Sequence, residues 1–164
     1  MARILLFLLM ILFGVSCFNE PDCLITASSA VKIEFKQTKT NPTTRVRTVV
    51  DSALVFNSVF VSGIDTAYIK YKASQTFTSV TLPVDPRAKT IKYVFNIRST
   101  SGVITRKDSI VFNYASESIV IAPRCGAYTY FLDLKISKTN YDSTKYKLVS
   151  NRLLKGITNV QVFF

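Results

Sequence analysis

The chain has 164 residues, enough for one domain with a sizeable core of its own. Hydrophobic residues make up 48%, which excludes a disordered chain, and the 12 Phe and 8 Tyr lean toward β structure. There is no histidine, so Ser-His-Asp and Cys-His catalysis and His-containing zinc sites are excluded within the chain.

Residues 1–16 read as an export leader. Arg3 supplies the positive end, Ile4 to Phe13 an unbroken apolar run, and Gly14, Val15 and Ser16 lead into Cys17. The run is too short for a bilayer-spanning helix, which needs roughly 17–25 residues. A small residue directly before a cysteine at this point is the pattern of a bacterial lipobox. Cys17 is then the lipid-attachment residue, and the membrane is reached through its acyl chains. Lipoboxes usually carry Leu where this chain has Gly14. Gly14 and Ser16 also suit an ordinary signal peptidase, so plain secretion is the competing reading.

Residues 17–29 read as a tether. Glu20 and Asp22 resemble the acidic surface-export tags of Bacteroidota lipoproteins. With Cys17 acylated, Cys23 and Cys125 remain as an even pair in an oxidising compartment. An internal disulfide between them is preferred over two free thiols or an intermolecular bridge. It would close a loop contributing roughly 4–5 kcal/mol on the chain-entropy model.

From residue 30 onward, period-2 alternation predicts one all-β domain over 30–164. Val31, Ile33 and Phe35 alternate with Lys32, Glu34 and Lys36, and Asn41-Pro42 ends that strand. Arg45–Val50 and Ala53–Val61 follow. Ala67, Ile69, Tyr71 and Ala73 face away from Tyr68, Lys70 and Lys72. Thr78–Leu82 stops at Pro83, and Pro83 and Pro86 bracket a turn. Ile91, Tyr93, Phe95 and Ile97 make the next clear strand, with a hairpin turn at Ser101-Gly102. Val103–Arg106, Ser109–Tyr114 and Ser118–Ala122 read as three separate strands. Tyr128, Tyr130, Leu132, Leu134 and Ile136 share one face of the longest alternation, before Tyr146–Val149, Leu153-Leu154 and Val160–Phe164. The expected fold is an antiparallel β-sandwich, with an immunoglobulin-like arrangement as one candidate.

The strings Cys17-x₅-Cys23, Ser79-Val-Thr-Leu-Pro83, Ile121-Ala-Pro-Arg-Cys125-Gly126 and Ile157-Thr-Asn159-Val-Gln-Val-Phe163 together resemble a family of small Bacteroidota lipoproteins catalogued as a domain of unknown function. That resemblance implies an envelope lipoprotein with a β-rich domain and a Cys-Gly element. It implies no substrate.

No residue is singled out as catalytic, cofactor-binding or metal-ligating. Ser29-Ala-Val-Lys32 matches the Ser-x-x-Lys string of penicillin-binding enzymes. It runs into a strand, however, where i and i+3 point to opposite faces. Asp65, Asp85, Asp108, Asp133 and Asp142 are scattered in positions typical of turns. Calcium-loop spacing is absent, and five glycines are too few for a phosphate cradle. Tyr68, Tyr71 and Phe131 are candidates for stacking on a glycan, against the commoner role of packing. The net charge of +11 favours anionic partners, yet the basic residues form no run resembling a nucleic-acid arm.

The sequence therefore predicts a non-enzymatic domain, lipid-anchored in the cell envelope at the outer membrane, that binds or scaffolds another envelope component. The alternatives are a module for an acidic glycan or anionic lipid, and a carboxylate hydrolase.

Overall fold

The structure is a computed structural model and describes residues 26–64, 66–70, 75–98, 104–122 and 126–164. Ten strands run in chain order as β1 (Ala30–Thr40), β2 (Arg47–Asp51), β3 (Val55–Val61), β4 (Ile69–Lys70), β5 (Ser79–Pro83), β6 (Thr90–Arg98), β7 (Ile104–Ala122), β8 (Gly126–Thr139), β9 (Tyr146–Leu148) and β10 (Val160–Phe163). The helical content of the described residues is a single 3-10 turn, Ser143–Lys145. None of them forms a helix long and apolar enough to cross a membrane.

Two five-stranded sheets pack face to face as a sandwich. In the first, β1 is central. One of its edges pairs antiparallel with β5 over Ala30–Glu34 and then with β2 over Lys36–Thr40. The other edge pairs parallel with β10, Ile33 opposite Val160 and Phe35 opposite Val162. This parallel pair departs from the all-antiparallel expectation. The second sheet is antiparallel throughout, in the order β4-β3-β6-β7-β8.

Alternation explains which residues meet between the sheets. Val31, Ile33 and Phe35 of β1 and Ile91, Tyr93, Phe95 and Ile97 of β6 are all buried. Phe35 stands against Phe56 and Phe95 across the sandwich, with ring centroids 5.4 and 6.3 Å away. Among the described residues, every buried hydrophobic residue lies between Val31 and Val162. The chain is held to that core from Thr26 on. Thr26 O accepts from Lys155 N, Ser28 N donates to Leu153 O, and Ser29 O accepts from Val84 N.

The three strands expected over 103–122 are one strand of 19 residues. The face assignment of β8 also differs. Asp133 adopts φ 53°, and the register shifts so that Asn113 faces Lys135 while Ala115 faces Leu132. The bulge inserts an extra residue and reverses the parity of the side chains. Leu134 is therefore buried together with Phe131, not with Leu132.

Candidate interaction surfaces

Cys17, Cys23 and Cys125, the residues assigned to the lipid anchor and the disulfide, lie outside the described residues, as do Asp65 and Tyr71. Of the described candidates, Asp85, Asp108 and Asp142 are engaged locally. Asp85 Oδ1 accepts from Arg87 N at 2.8 Å, and Asp142 caps the 3-10 turn by accepting from Thr144 N at 2.9 Å. Asp108 is 2% exposed and is gripped by Arg106, whose Nε lies 2.7 and 2.8 Å from its two oxygens. Among the described residues, no group of three or more Cys, Asp or Glu is placed to hold a metal ion.

The surface of the described residues includes two shallow depressions. One, of about 330 Å³, lies over β8 and β9 and is lined by Ser137, Lys138, Thr139, Tyr141 and Tyr146 among others, without a carboxylate. The other, of about 220 Å³, lies between Ser62–Ile64 and Pro83–Asp85, and Asp85 is its one carboxylate. Neither brings together the two acids that glycoside hydrolysis requires.

The Arg106–Asp108 pair closes one end of the sandwich. The guanidinium carbon sits 5.2 Å from the ring centroid of Tyr141 and 5.1 Å from that of Phe164. Asn140 Nδ2 donates to Asp108 Oδ1 at 3.3 Å and to Lys107 O at 3.0 Å. Burial, and then the charge of Asp108, push the Tyr141 phenol well above the usual range. This cluster packs over the core, and within it Asp108 Oδ2, held by the Arg106 ion pair, and the Tyr141 hydroxyl are buried without a hydrogen-bond partner among the described residues. The sequence reading missed it, taking Lys107-Asp108 for a break between strands. The signal was there: residues i and i+2 of one strand share a face.

The outer face of the first sheet carries an ion-pair chain. Lys32 lies 3.5 Å and Lys36 3.0 Å from Glu34, and Lys36 also meets Asp51 at 2.7 Å. The Thr158 hydroxyl donates to Glu34 and is the largest cause holding its carboxyl down at about 2, with Lys36 and Gln161 adding to it against the opposing effect of burial. The folded value lies below the ordinary 4.5, so this stabilisation is complete above about pH 4.5 and is lost as pH falls toward 2. Glu34→Gln is expected to remove this pH dependence, lowering stability above about pH 4.5 and changing it little near pH 2. Urea midpoints at pH 6 and pH 3 check this, and an unchanged difference between the two pH values would count against it.

The most exposed apolar feature is a projecting ribbon. β6 stops pairing with β7 at Asn113, and the chain of residues 151–153 stops contacting β8 at Phe131. Beyond these points, among the described residues, β7 and β8 pair only with each other. From Glu117 to Ala122 the ribbon extends about 20 Å at the usual strand rise. Directly opposed residues share a face, so Ile119 stands beside Tyr128, Glu117 beside Tyr130 and Ala115 beside Leu132. Ile119 is 41% exposed, and Val120, on the opposite face, 64%. Of the aromatic candidates, Tyr68 is exposed at 49%, but Phe131 is buried at 2%. The Asp133 bulge turns Phe131 into the core and sends Tyr128 and Tyr130 to the outside face. The N-terminal segment enters beside the root of the ribbon: Ser28 N donates to Leu153 O, and Leu153 N to Phe131 O.

No curated protein and no solved structure matches this chain. The model of a family of unknown function, DUF6452, matches residues 58–163, from the middle of β3 to the end of β10. That span is well over half of the chain, which belongs to this family.

Proposed function

We propose that this chain is a non-enzymatic lipoprotein of the Bacteroidota cell envelope, held at the outer membrane through acylated Cys17, that binds or scaffolds another envelope protein through the β7–β8 ribbon. The leader over residues 1–16 and the Cys17 motif support the address. One observation carries the binding role: an isolated two-stranded ribbon that exposes Ile119 and Val120 and sets Tyr128 and Tyr130 along one face. Two strands alone are marginal in water, and apolar residues on such an arm are stabilised by a partner surface. Tyrosines fit that role because each brings a broad apolar ring with a polar tip. A Cys23–Cys125 disulfide would tie the N-terminal tether to the ribbon, whose root that segment already enters.

The test uses protein in intact cells. A photo-crosslinking residue at Tyr128 is expected to give a discrete adduct. The same residue at Thr81, on the outer face of the first sheet, is expected to give none. Material from the membrane fraction should begin at Cys17 with added acyl mass and gain two protons on reduction. An unacylated chain with no adduct at Tyr128 would overturn the proposal.

A further inference from the structure

The outer face of the second sheet carries a field of lysines without neighbouring acids. Cross-strand register places Lys70 opposite Ser58, Lys92 opposite Val111, Lys107 opposite Asn96, Lys135 opposite Asn113 and Lys138 opposite Val111. Paired residues share a face, and Lys92 sits between Ile91 and Tyr93, which point into the core. These lysines therefore all point outward, and all are exposed. None forms an ion pair among the described residues. The five strands carry few acids, and none sits within this field. Asp108 points into the sandwich, Glu117 lies out on the ribbon, and Asp133 occupies the bulge at the ribbon's root. The first sheet is the contrast, because there Glu34 and Asp51 neutralise Lys32 and Lys36.

We infer that this face docks on an anionic lipid bilayer. Its shape is suitable: four strand spacings make a surface about 19 Å across. Its chemistry is that of an interfacial surface. Phe60, 36% exposed, lies beside the half-buried Val94, with Val111 on the neighbouring strand, in the middle of the lysine field. Apolar side chains there meet the headgroup boundary while the lysine stems lie along the sheet and carry their charges outward. Several neutral polar groups of the face already bond to one another or to the backbone. Asn96 Nδ2 donates to Ser58 Oγ at 2.7 Å, Thr90 Oγ1 to Asn113 Oδ1 at 3.0 Å, and Ser137 Oγ to Val111 O at 3.2 Å. Reading a sugar needs free, directed hydrogen-bonding groups, whereas a bilayer needs only charge and a little apolar area. The inference rests on the envelope reading for the presence of a membrane, and on the sheet itself for the contact.

The test uses the segment from Thr26, which holds the buried residues of the described structure and no acyl chain, once a cooperative thermal transition has shown that it folds. Each Lys near an anionic bilayer contributes about fivefold in partition. The segment is expected to sediment with vesicles of 70:30 phosphatidylcholine:phosphatidylglycerol at low salt, and to be released by 0.5 M salt or by omitting the anionic lipid. Combined Lys92→Gln, Lys107→Gln, Lys135→Gln and Lys138→Gln should weaken binding by about 100-fold or more. Combined Lys39→Gln, Lys145→Gln, Lys147→Gln and Lys155→Gln removes the same charge from elsewhere and should weaken it less than tenfold. Thermal unfolding of both variants confirms that they are folded. Failure to sediment, equal loss in the two variants, or retention on an acidic polysaccharide without retention on vesicles would each overturn the inference. These outcomes leave the ribbon proposal standing, because crosslinking at Tyr128 reads a protein adduct on the ribbon, beyond the lysine field on the same face of the sheet, and does not depend on vesicle binding.

Discussion

A chain beginning at Ser58, where the family match begins, is expected to show no cooperative unfolding transition. The match leaves out β1, yet β1 is the strand on which the first sheet is built. Without it β10 keeps only β9 as a neighbour, and β5 loses the strand it pairs with. The same cut removes Val31, Ile33, Phe35 and Phe56, each 1% exposed or less. Phe35 alone contacts three rings, those of Phe56, Phe95 and Phe164, at centroid distances of 5.4, 6.3 and 6.1 Å. Phe35→Ala in the intact chain should cost about 3–5 kcal/mol. That is a large share of the roughly 5–15 kcal/mol that holds a domain folded. Removing all four side chains together with the central strand exceeds that margin. Urea unfolding followed by circular dichroism checks both variants. A shortened chain that unfolds cooperatively near the full-length midpoint would mean that the second sheet folds alone with β1 as an accessory. On the expected result, the folding unit reaches upstream of the region that defines the family.

Local pattern carried some of this architecture and not the rest. Val31, Ile33 and Phe35 announce a half-buried strand by alternation, and the structure buries all three. Ile91, Tyr93, Phe95 and Ile97 do the same. The parallel pairing of β1 with β10 has no local signature, because the partners lie far apart in sequence and no turn fixes their register. The continuity of β7 was hidden by charge. Arg106, Lys107 and Asp108 look like a loop in the sequence, but Arg106 and Asp108 satisfy each other on the inner face while Lys107 points outward. In β8 the alternation was genuine, but a backbone event interrupted it. The left-handed Asp133 moves Phe131 inward and puts Tyr128 and Tyr130 on the ribbon's outside face. Asp tolerates this conformation better than most residues, which is the one hint the sequence offered. The lysine field has the same explanation at larger scale. Its members come from separate strands, and only the register brings them onto one face.

Arg106→Ala is expected to destabilise the domain more than any other single change at a charged residue. Asp108 is 2% exposed, and Arg106 is its one ion-pair partner among the described residues. Removing the guanidinium leaves a buried carboxylate with Asn140 as its one remaining side-chain donor among the described residues. Breaking a buried pair from one side costs about 3–5 kcal/mol. The arginine side chain is 40% exposed, so water can partly replace it and the lower end of that range applies. The loss also includes packing, since the guanidinium lies over Tyr141 and Phe164 at 5.2 and 5.1 Å. Arg106→Ala combined with Asp108→Ala separates the two contributions. The double variant should recover part of the stability lost in Arg106→Ala, because no unpaired charge remains, and the unrecovered part reports the stacking and cavity terms. Chemical denaturation of the two single variants and the double variant measures this. Simple additivity of the single effects would show that the pair is uncoupled, and the ionic seal at this end of the sandwich would then reduce to the packing of Tyr141 against Phe164, whose rings stand 6.1 Å apart.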